Sequence, residues 1–194
     1  AVLDIVEIDP EVLRLCKKYF FFQESDRCRV HEGDGRLFVQ NRRGREAYDL
    51  VYLDAFKSGS IPYHLKTRAF YEEIRSILRP SGVVASNLYG KSNRLKPQDR
   101  ATFVSVFPQV ECFEDPDQRA TVLIATREAQ SWTVEELLDR AERLADSPGF
   151  SWPQVARMFR PGRFAEGAAE PFEDDFGPGE FLETVRRNNT DQKG

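Results

Sequence analysis

The sequence predicts a doubly wound α/β fold, and two features of the chain support this class. Short apolar runs alternate with segments whose apolar residues recur at helical spacing, from Val2 to Val106. The run 50–53 is bounded by turn residues and ends in Asp54, as expected for a buried strand of a parallel sheet. Alternating strands and helices indicate a mostly parallel sheet with helices on both faces. Ligands bind such sheets at the carboxyl ends of the strands, which places Asp54 on the rim of a pocket.

The predicted strands are short apolar runs bounded by turn residues. They cover residues 2–8, 28–31, 48–54, 83–88, 110–113 and 121–125. The last two are expected to pair as an antiparallel edge, which is common on parallel sheets. Residues 79–82 (RPSG) are expected to form the turn before the fourth strand.

Capping residues mark the predicted helices. Asp9 followed by Pro10 begins the first helix, which is expected to reach Phe22. Thr133 and Glu136 form a capping box that opens the last. The helices between them are predicted after Gly35, after Thr67 and over residues 97–106.

Composition excludes several classes of function. With 40% hydrophobic residues and fifteen Phe among 194 residues, the chain can bury a sizeable core. The net charge of −4 argues against a nucleic-acid partner, because a phosphate-binding face usually makes a domain basic. No run approaches the roughly 18 apolar residues of a membrane span. The three widely spaced cysteines have no zinc spacing, which indicates reduced thiols, a cytoplasmic protein and no metal site.

Two parts are predicted along the chain. Residues 1–128 are expected to form a partial Rossmann-like nucleoside-binding domain. Residues 129–194 are expected to form a C-terminal helix and an irregular tail that pack on this domain. Aromatic residues are expected to anchor this tail: Trp152, Phe159, Phe164, Phe172, Phe176 and Phe181. The chain enters its first strand directly at Val2, so we expect further residues to precede it in the natural protein. The oligomeric state is left open, with a homodimer among the options.

Three acidic residues stand at the ends of predicted strands. Glu7, Asp34 and Asp54 each follow an apolar run and precede a turn or helix, so we expect them along one edge of the sheet. Such carboxylates suit the two hydroxyls of a ribose and the amine of adenine, with Ile8 placed to stack on the base and Gly35 leaving room for it. The alternatives are local, because Asp34 can cap the next helix and Asp54 can begin an Asx turn.

Several motifs in order resemble one family. Residues 6–10 (VEIDP), 32–36 (EGDGR) and 48–56 (YDLVYLDAF) are similar to the spermidine synthase family of polyamine aminopropyltransferases and its spermidine-synthase-like relatives. The loop 58–65 (SGSIPYHL) and residues 174–178 (DDFGP) extend the resemblance over most of the chain. The resemblance implies the S-adenosylmethionine-dependent, class I methyltransferase fold. The first strand of that fold and its Gly-rich loop are not found in this sequence, so the fold is expected to be truncated at the N-terminus.

This resemblance implies a transferase that moves an aminopropyl group from decarboxylated S-adenosylmethionine to a small-molecule amine. It implies that Glu7 binds the ribose and that Asp34 and Gly35 bind the adenine. It also implies that Asp54 contacts both the cofactor and the acceptor and is the catalytic carboxylate. Tyr63 or His64 would assist from the loop, and a structural hydrogen bond is an equal alternative for His64. The attacking amine must be neutral, and a carboxylate beside it can take up its proton.

Two departures from the family keep other functions open. Lys57 occupies the position of a second family aspartate, and a cation there disfavours a cationic polyamine. A methyltransferase that uses S-adenosylmethionine is therefore an alternative, and a catalytically silent nucleoside-binding domain is a third. The family's first strand would lie between the strands 2–8 and 48–54, so without it two strand edges are unpaired. We therefore expect a fragment, or a sheet completed by a partner, with poor cofactor binding and little activity by itself.

Overall fold

The chain folds into two compact units. The computed structural model describes residues 1–45, 47–56, 61–88, 95–115, 117, 120–144, 151–160, 169–177, 180 and 183. The first unit contains Ala1–Arg43 and Asp174–Gly194, and the second unit contains Gly44–Glu173. The predicted division into domains 1–128 and 129–194 stays a prediction.

The first unit is built on a pair of parallel strands. β1 (Leu3–Glu7) pairs with β2 (Cys28–Glu32), in a register that sets Glu7 opposite Glu32. The connection between them contains α1 (Pro10–Tyr19), and α2 (Gly35–Gln40) follows β2. The sequence predicts both strands and both helices, apart from the end of α1.

α1 ends at Tyr19, earlier than the predicted end near Phe22. Phe21 takes a left-handed conformation with φ 56°, and the N–H of Phe22 donates to the carbonyl oxygen of Cys16 at 3.2 Å. A left-handed residue commonly ends a helix, but it is usually a glycine. A phenylalanine in this conformation gives no signal in the sequence, so the prediction of this helix end is wrong.

The second unit contains a mixed sheet. Within the described part of the chain its elements are β3 (Tyr48–Leu53), a 3₁₀ turn (Tyr63–Leu65), α3 (Arg68–Ile77), β4 (Leu78–Asn87), α4 (Lys96–Val106), β5 (Val110–Glu114), β6 (Thr121–Thr126), α5 (Val134–Arg143) and α6 (Trp152–Ala156). The strand order is β3-β4-β6-β5. β3 and β4 are parallel, whereas β6 is antiparallel to both β4 and β5. The predicted antiparallel edge of β5 and β6 is confirmed.

The core of the second unit lies where α3 and α4 pack on the sheet. Thr67 caps α3 as predicted, accepting a hydrogen bond from the Phe70 N–H at 3.3 Å. The ring of Tyr71, also on α3, lies 5.1 Å from that of Phe103, which lies 4.8 Å from that of Phe107. These separations are typical of aromatic pairs in cores. The face of α3 that carries Phe70, Tyr71, Ile74 and Ile77 is therefore buried.

β4 begins at Leu78, earlier than predicted. Leu78 pairs with Tyr48 ahead of a register shift, and residues 79–82 bulge between this pair and the rest of the ladder. At Gly82 an added Cβ would lie 2.9 Å from the carbonyl oxygen of Arg79 and 3.0 Å from that of Tyr48. Residues 79–82, which the sequence predicts as a turn before the strand, instead form an irregularity inside β4. A glycine fits there because the two strands approach each other closely.

β1 and β3 each have one edge without a neighbouring strand in the described part of the chain. Among the described residues, β1 pairs with β2 alone and β3 pairs with β4 alone. On β3 the side chains of Leu50 and Tyr52 are 57% and 62% exposed. These are the two edges that the sequence predicts to be unpaired.

The C-terminal part begins with the predicted capping box. Thr133 Oγ1 accepts from the Glu136 N–H at 3.1 Å, and Glu136 Oε2 accepts from the Thr133 N–H at 2.8 Å. Phe159 packs on Phe113, with ring centres 5.5 Å apart, as expected of an aromatic anchor. The anchors predicted at Phe164 and Phe181 lie outside the described residues. No helix in the described ranges is long and apolar enough to cross a membrane.

Replacing Gly82 by alanine tests the close packing at the bulge of β4. The new methyl group would meet backbone atoms, so we expect the free energy of unfolding to fall by about 1–3 kcal/mol. Gly177→Ala is the control, because the nearest atom to its Cβ would be a side-chain oxygen at 3.8 Å. Its effect should stay within about 0.5 kcal/mol in urea denaturation. Equal effects of the two substitutions would contradict the role given to Gly82.

Candidate functional site

The carboxyl ends of β1 and β2 lie side by side. The N–H of Gly33 donates to the carbonyl oxygen of Glu7 at 2.9 Å, which continues the ladder beyond β2. The side chain of Glu7 turns back, and its Oε1 accepts a hydrogen bond from the Asp9 N–H at 2.8 Å. Among the described residues no other hydrogen bond reaches this carboxylate. Its Oε2 is therefore available to a ligand.

Asp34 follows β2 and is buried, with 4% of its surface exposed. Its Oδ1 accepts from the N–H groups of Arg36 and Leu37 at 2.9 and 3.1 Å, so it is the N-cap of α2. Capping is the local alternative that the sequence leaves open, and it is compatible with ligand binding because a carboxylate has about four acceptor positions. Gly33 before it has φ 144°, and nothing lies within 4 Å of the position of an added Cβ. The turn beside Asp34 is thus open.

Two further residues of the first unit belong to the predicted site. Ile8 directly follows Glu7 and is half-buried, and Gly35 is the first residue of α2. The structure therefore brings Glu7, Ile8, Asp34 and Gly35 to the ends of two adjacent strands. Their contacts with a nucleoside stay predictions.

Asp54 directly follows β3 in the second unit, and Asn87 is the last residue of the neighbouring β4. The Nδ2 of Asn87 donates to Oδ1 of Asp54 at 2.9 Å. Asp54 is exposed, and no other hydrogen bond or ion pair holds it within the part of the chain that the structure describes. One oxygen of this carboxylate is fixed and the other is available.

Tyr63 and His64 lie in the 3₁₀ turn after β3. His64 is buried, with 3% exposure, whereas Tyr63 is 37% exposed. The Tyr63 hydroxyl donates to the carbonyl oxygen of Glu173 at 2.9 Å. Burial favours the structural alternative for His64, and a catalytic role for either residue stays a prediction.

Phe172 and Glu173 hold this turn in place. The Phe172 N–H donates to Thr102 Oγ1 at 2.9 Å, and the Phe172 carbonyl oxygen accepts from the Arg68 N–H at 2.8 Å. The Lys66 ammonium lies 4.4 Å from the centre of the Phe172 ring, and Arg68 forms an ion pair with Glu173. Phe172 therefore serves as an aromatic anchor, as the sequence predicts.

The convergence of Glu7, Asp34 and Asp54 on one ligand stays a prediction, because Asp54 ends a strand of the second unit. Lys57 lies outside the described residues. In the described ranges no group of three or more His, Cys, Asp or Glu is arranged to hold a metal ion.

Comparison with known proteins identifies the family. Residues 2–102 match the family model of the spermine/spermidine synthase domain. The chain belongs to the spermine/spermidine synthase family. The matched range includes Glu7, Asp34 and Asp54, and the resemblance read from the sequence motifs is confirmed.

The proteins that are similar to this member of the spermine/spermidine synthase family include an aminopropyltransferase and a methyltransferase-like protein. Polyamine aminopropyltransferase of Vibrio vulnificus is 37% identical over 147 residues, which are 75% of this chain and 48% of that protein. The chain thus spans about half the length of that relative. Human methyltransferase-like protein 13, solved in complex with SAH, is 26% identical with a TM-score of 0.65, over 93% of this chain and 78% of that chain.

A structure with lower sequence identity shows the same fold. Spermidine synthase in complex with the transition state analogue AdoDATO is 14% identical, with a TM-score of 0.66 over 96% of this chain and 61% of that chain. These likenesses confirm the Rossmann-like methyltransferase fold.

The sequence analysis missed Asn87. It also missed a group of buried polar side chains, namely Lys66, Tyr71 and Asp99. Tyr71 is fully buried, and its hydroxyl has no hydrogen-bond partner among the described residues. The ammonium of Lys66 lies 3.4 Å from Oδ1 of Asp99, and both side chains are buried. Burial, and then the nearby charge of Asp99, raise the pKa of Tyr71 well above its usual range. Asn87 had a usable signal, because it is a polar residue near the end of a predicted apolar strand.

The raised pKa of Tyr71 predicts a loss of stability at alkaline pH. Above about pH 10 the unfolded chain ionises this tyrosine while the folded chain keeps it neutral, so ionisation favours unfolding. The contribution is complete below about pH 10 and declines above it by up to about 1.4 kcal/mol per pH unit. Tyr71→Phe should remove this component of the slope in urea denaturation between about pH 10 and 11.

Tyr52→Phe is the matched control, because it removes the same hydroxyl from a residue that is 62% exposed. Its pH slope should equal that of the unaltered protein. The same slope in both variants would contradict the effect of burial on Tyr71.

Proposed function

We propose that the full protein transfers an aminopropyl group from decarboxylated S-adenosylmethionine to a small-molecule amine. The observation that carries this proposal is an exposed carboxylate, Asp54, held through one oxygen by Asn87 at the ends of two parallel strands. Family membership and the aminopropyltransferase relative support this reaction. We propose the cytoplasm as its location, supported by the free thiols of Cys16, Cys28 and Cys112.

The nucleoside is assigned to the ends of β1 and β2. Glu7 accepts from the ribose hydroxyls through Oε2, and Asp34 accepts from the adenine amine, with Ile8 and Gly35 beside the base. These residues fit an adenosine, because an available carboxylate oxygen and a buried carboxylate next to an open glycine turn match its donors. The SAH bound to human methyltransferase-like protein 13 supports a ligand of this class.

The chemical role of Asp54 is that of a general base. In decarboxylated S-adenosylmethionine the sulfonium activates the neighbouring carbon of the aminopropyl group. The amine nitrogen forms a bond to this carbon while the carbon–sulfur bond breaks, and methylthioadenosine leaves. A free alkyl amine has a pKa near that of lysine, about 10.4, so at neutral pH it carries a proton that blocks attack. Asp54 orients the amine and takes up this proton, a contribution of typically about 10²–10⁴-fold. Asn87 fixes Oδ1, which leaves Oδ2 as the proton acceptor.

Methyl transfer from S-adenosylmethionine is the second candidate function. The likeness to human methyltransferase-like protein 13 favours it, and so does Lys57, a cation at the position where the aminopropyltransferase family has a second aspartate. The same residues would hold the nucleoside in either reaction. The transferred group and the acceptor would differ.

Product analysis of the full-length protein distinguishes these functions. Mass spectrometry with each donor and a set of small amines should detect methylthioadenosine, the product of aminopropyl transfer. S-adenosylhomocysteine would instead establish methyl transfer. The absence of both products would contradict a transferase and leave a nucleoside-binding domain.

Asp54→Asn tests the general base. The amide cannot take up the proton, so we expect kcat to fall by about 10²-fold or more. Asp49→Asn is the control on the same strand, since Asp49 is 78% exposed and pairs with Arg79 at the surface. Its kcat should stay within about twofold of that of the unaltered protein. An Asp54→Asn enzyme with unchanged kcat would contradict this role.

Asn87→Ala tests the positioning of Asp54. A hydrogen bond to a charged group contributes about 1.5–3 kcal/mol, so we expect kcat to fall about tenfold or more while the KM of the donor is unchanged. Asn87→Gln keeps the amide and should recover part of the rate. A lower melting temperature without a change in kcat would show that Asn87 has only a structural role.

A further inference from the structure

Arg36 is a buried cation next to the carboxylate assigned to adenine. Its side chain is 3% exposed, and its Nη1 and Nη2 lie 2.9 and 2.5 Å from Oδ1 and Oδ2 of Asp174. The two contacts form a bidentate pair, which fixes both distance and orientation. A buried arginine needs such a partner, because an unpaired charge inside a protein is unfavourable.

The segment that carries Asp174 makes a second contact with Arg36. The guanidinium carbon of Arg36 lies 5.8 Å from the centre of the Phe176 ring, within the range of cation–π attraction. In the residue after Phe176, the Gly177 N–H donates to Oε2 of Glu180 at 2.8 Å. Asp174 and Phe176 therefore both lie close to the guanidinium.

Arg36 connects this pair to Asp34. The Arg36 N–H donates to Oδ1 of Asp34 at 2.9 Å, so the residue that binds Asp174 through its side chain holds Asp34 through its backbone. α2 has only six residues. Helices this short are unstable without tertiary contacts. The pair between Arg36 and Asp174 supplies such a contact at the turn that orients Asp34.

We propose that Asp174 is a positioning residue that acts through Arg36 to hold Asp34 in place for the 6-amino group of adenine. The inference rests on the proposed function, in which Asp34 accepts a hydrogen bond from that amine. Asp174 thereby determines how strongly the site prefers a 6-aminopurine nucleoside, although it does not touch the ligand. A general loss of stability would weaken the binding of nucleosides with and without the 6-amino group alike, so it would leave this preference unchanged.

Two probes measure this preference in the full-length protein. Isothermal titration gives the Kd of methylthioadenosine and of its analogue with hydrogen in place of the 6-amino group. The unaltered protein should bind methylthioadenosine about tenfold more tightly, as expected for one hydrogen bond to a charged group. Asp174→Asn should reduce this ratio to below about threefold, while the Kd of the analogue changes by less than about twofold.

Control variants separate positioning from folding. Asp174→Glu keeps the charge and should recover part of the ratio. Asp175→Asn should leave the ratio unchanged, because Asp175 is exposed and forms no hydrogen bond or ion pair with any other described residue. If Asp174→Asn does not fold, Arg36→Lys takes its place, since lysine keeps the charge without the bidentate geometry and should also lower the ratio.

The results distinguish two failures. A tenfold ratio that persists in Asp174→Asn or Arg36→Lys, or an equal loss of affinity for both probes, would overturn the role of Asp174 alone. An unaltered protein that binds neither probe would overturn the proposed nucleoside site, and this inference with it.

Discussion

Parallel strand pairing is the constraint on which the candidate site depends. Two strands that run in the same direction end at the same edge, so the residues that follow them meet regardless of their separation in the sequence. β1 and β2 bring Glu7 beside Asp34 in this way, and β3 and β4 bring Asp54 beside Asn87. In an antiparallel pair the same residues would lie at opposite ends. Each unit thus forms its polar cluster from its own pair of strands.

The acidic residues serve the fold and the proposed chemistry together. Glu7 uses one oxygen to accept from the Asp9 N–H, and Asp34 uses one to cap α2. These contacts fix the carboxylates before any ligand arrives, so little ordering is left for the binding step. A substitution that removes the carboxylate also removes the local contact. For that reason, substitutions that act through a neighbour or that keep the shape of the side chain separate binding from stability best.

Local patterns in the sequence predict most of this architecture, and long-range contacts account for the rest. Asp9, Thr67 and Thr133 cap helices as predicted, because a cap depends on the few residues that follow it. Phe21 has no such signal, since its left-handed conformation is usual for glycine. The pair of Arg36 and Asp174 joins residues 138 positions apart, and no periodicity or spacing identifies it. The three carboxylates are visible in the sequence because each ends an apolar run.

The nucleoside site is the central claim, and a crystal structure of the full-length protein with methylthioadenosine tests it most directly. The account predicts the ribose hydroxyls within hydrogen-bond distance of Glu7 and the adenine amine within that distance of Asp34. A nucleoside bound elsewhere, or bound with both Glu7 and Asp34 unengaged, would contradict the account.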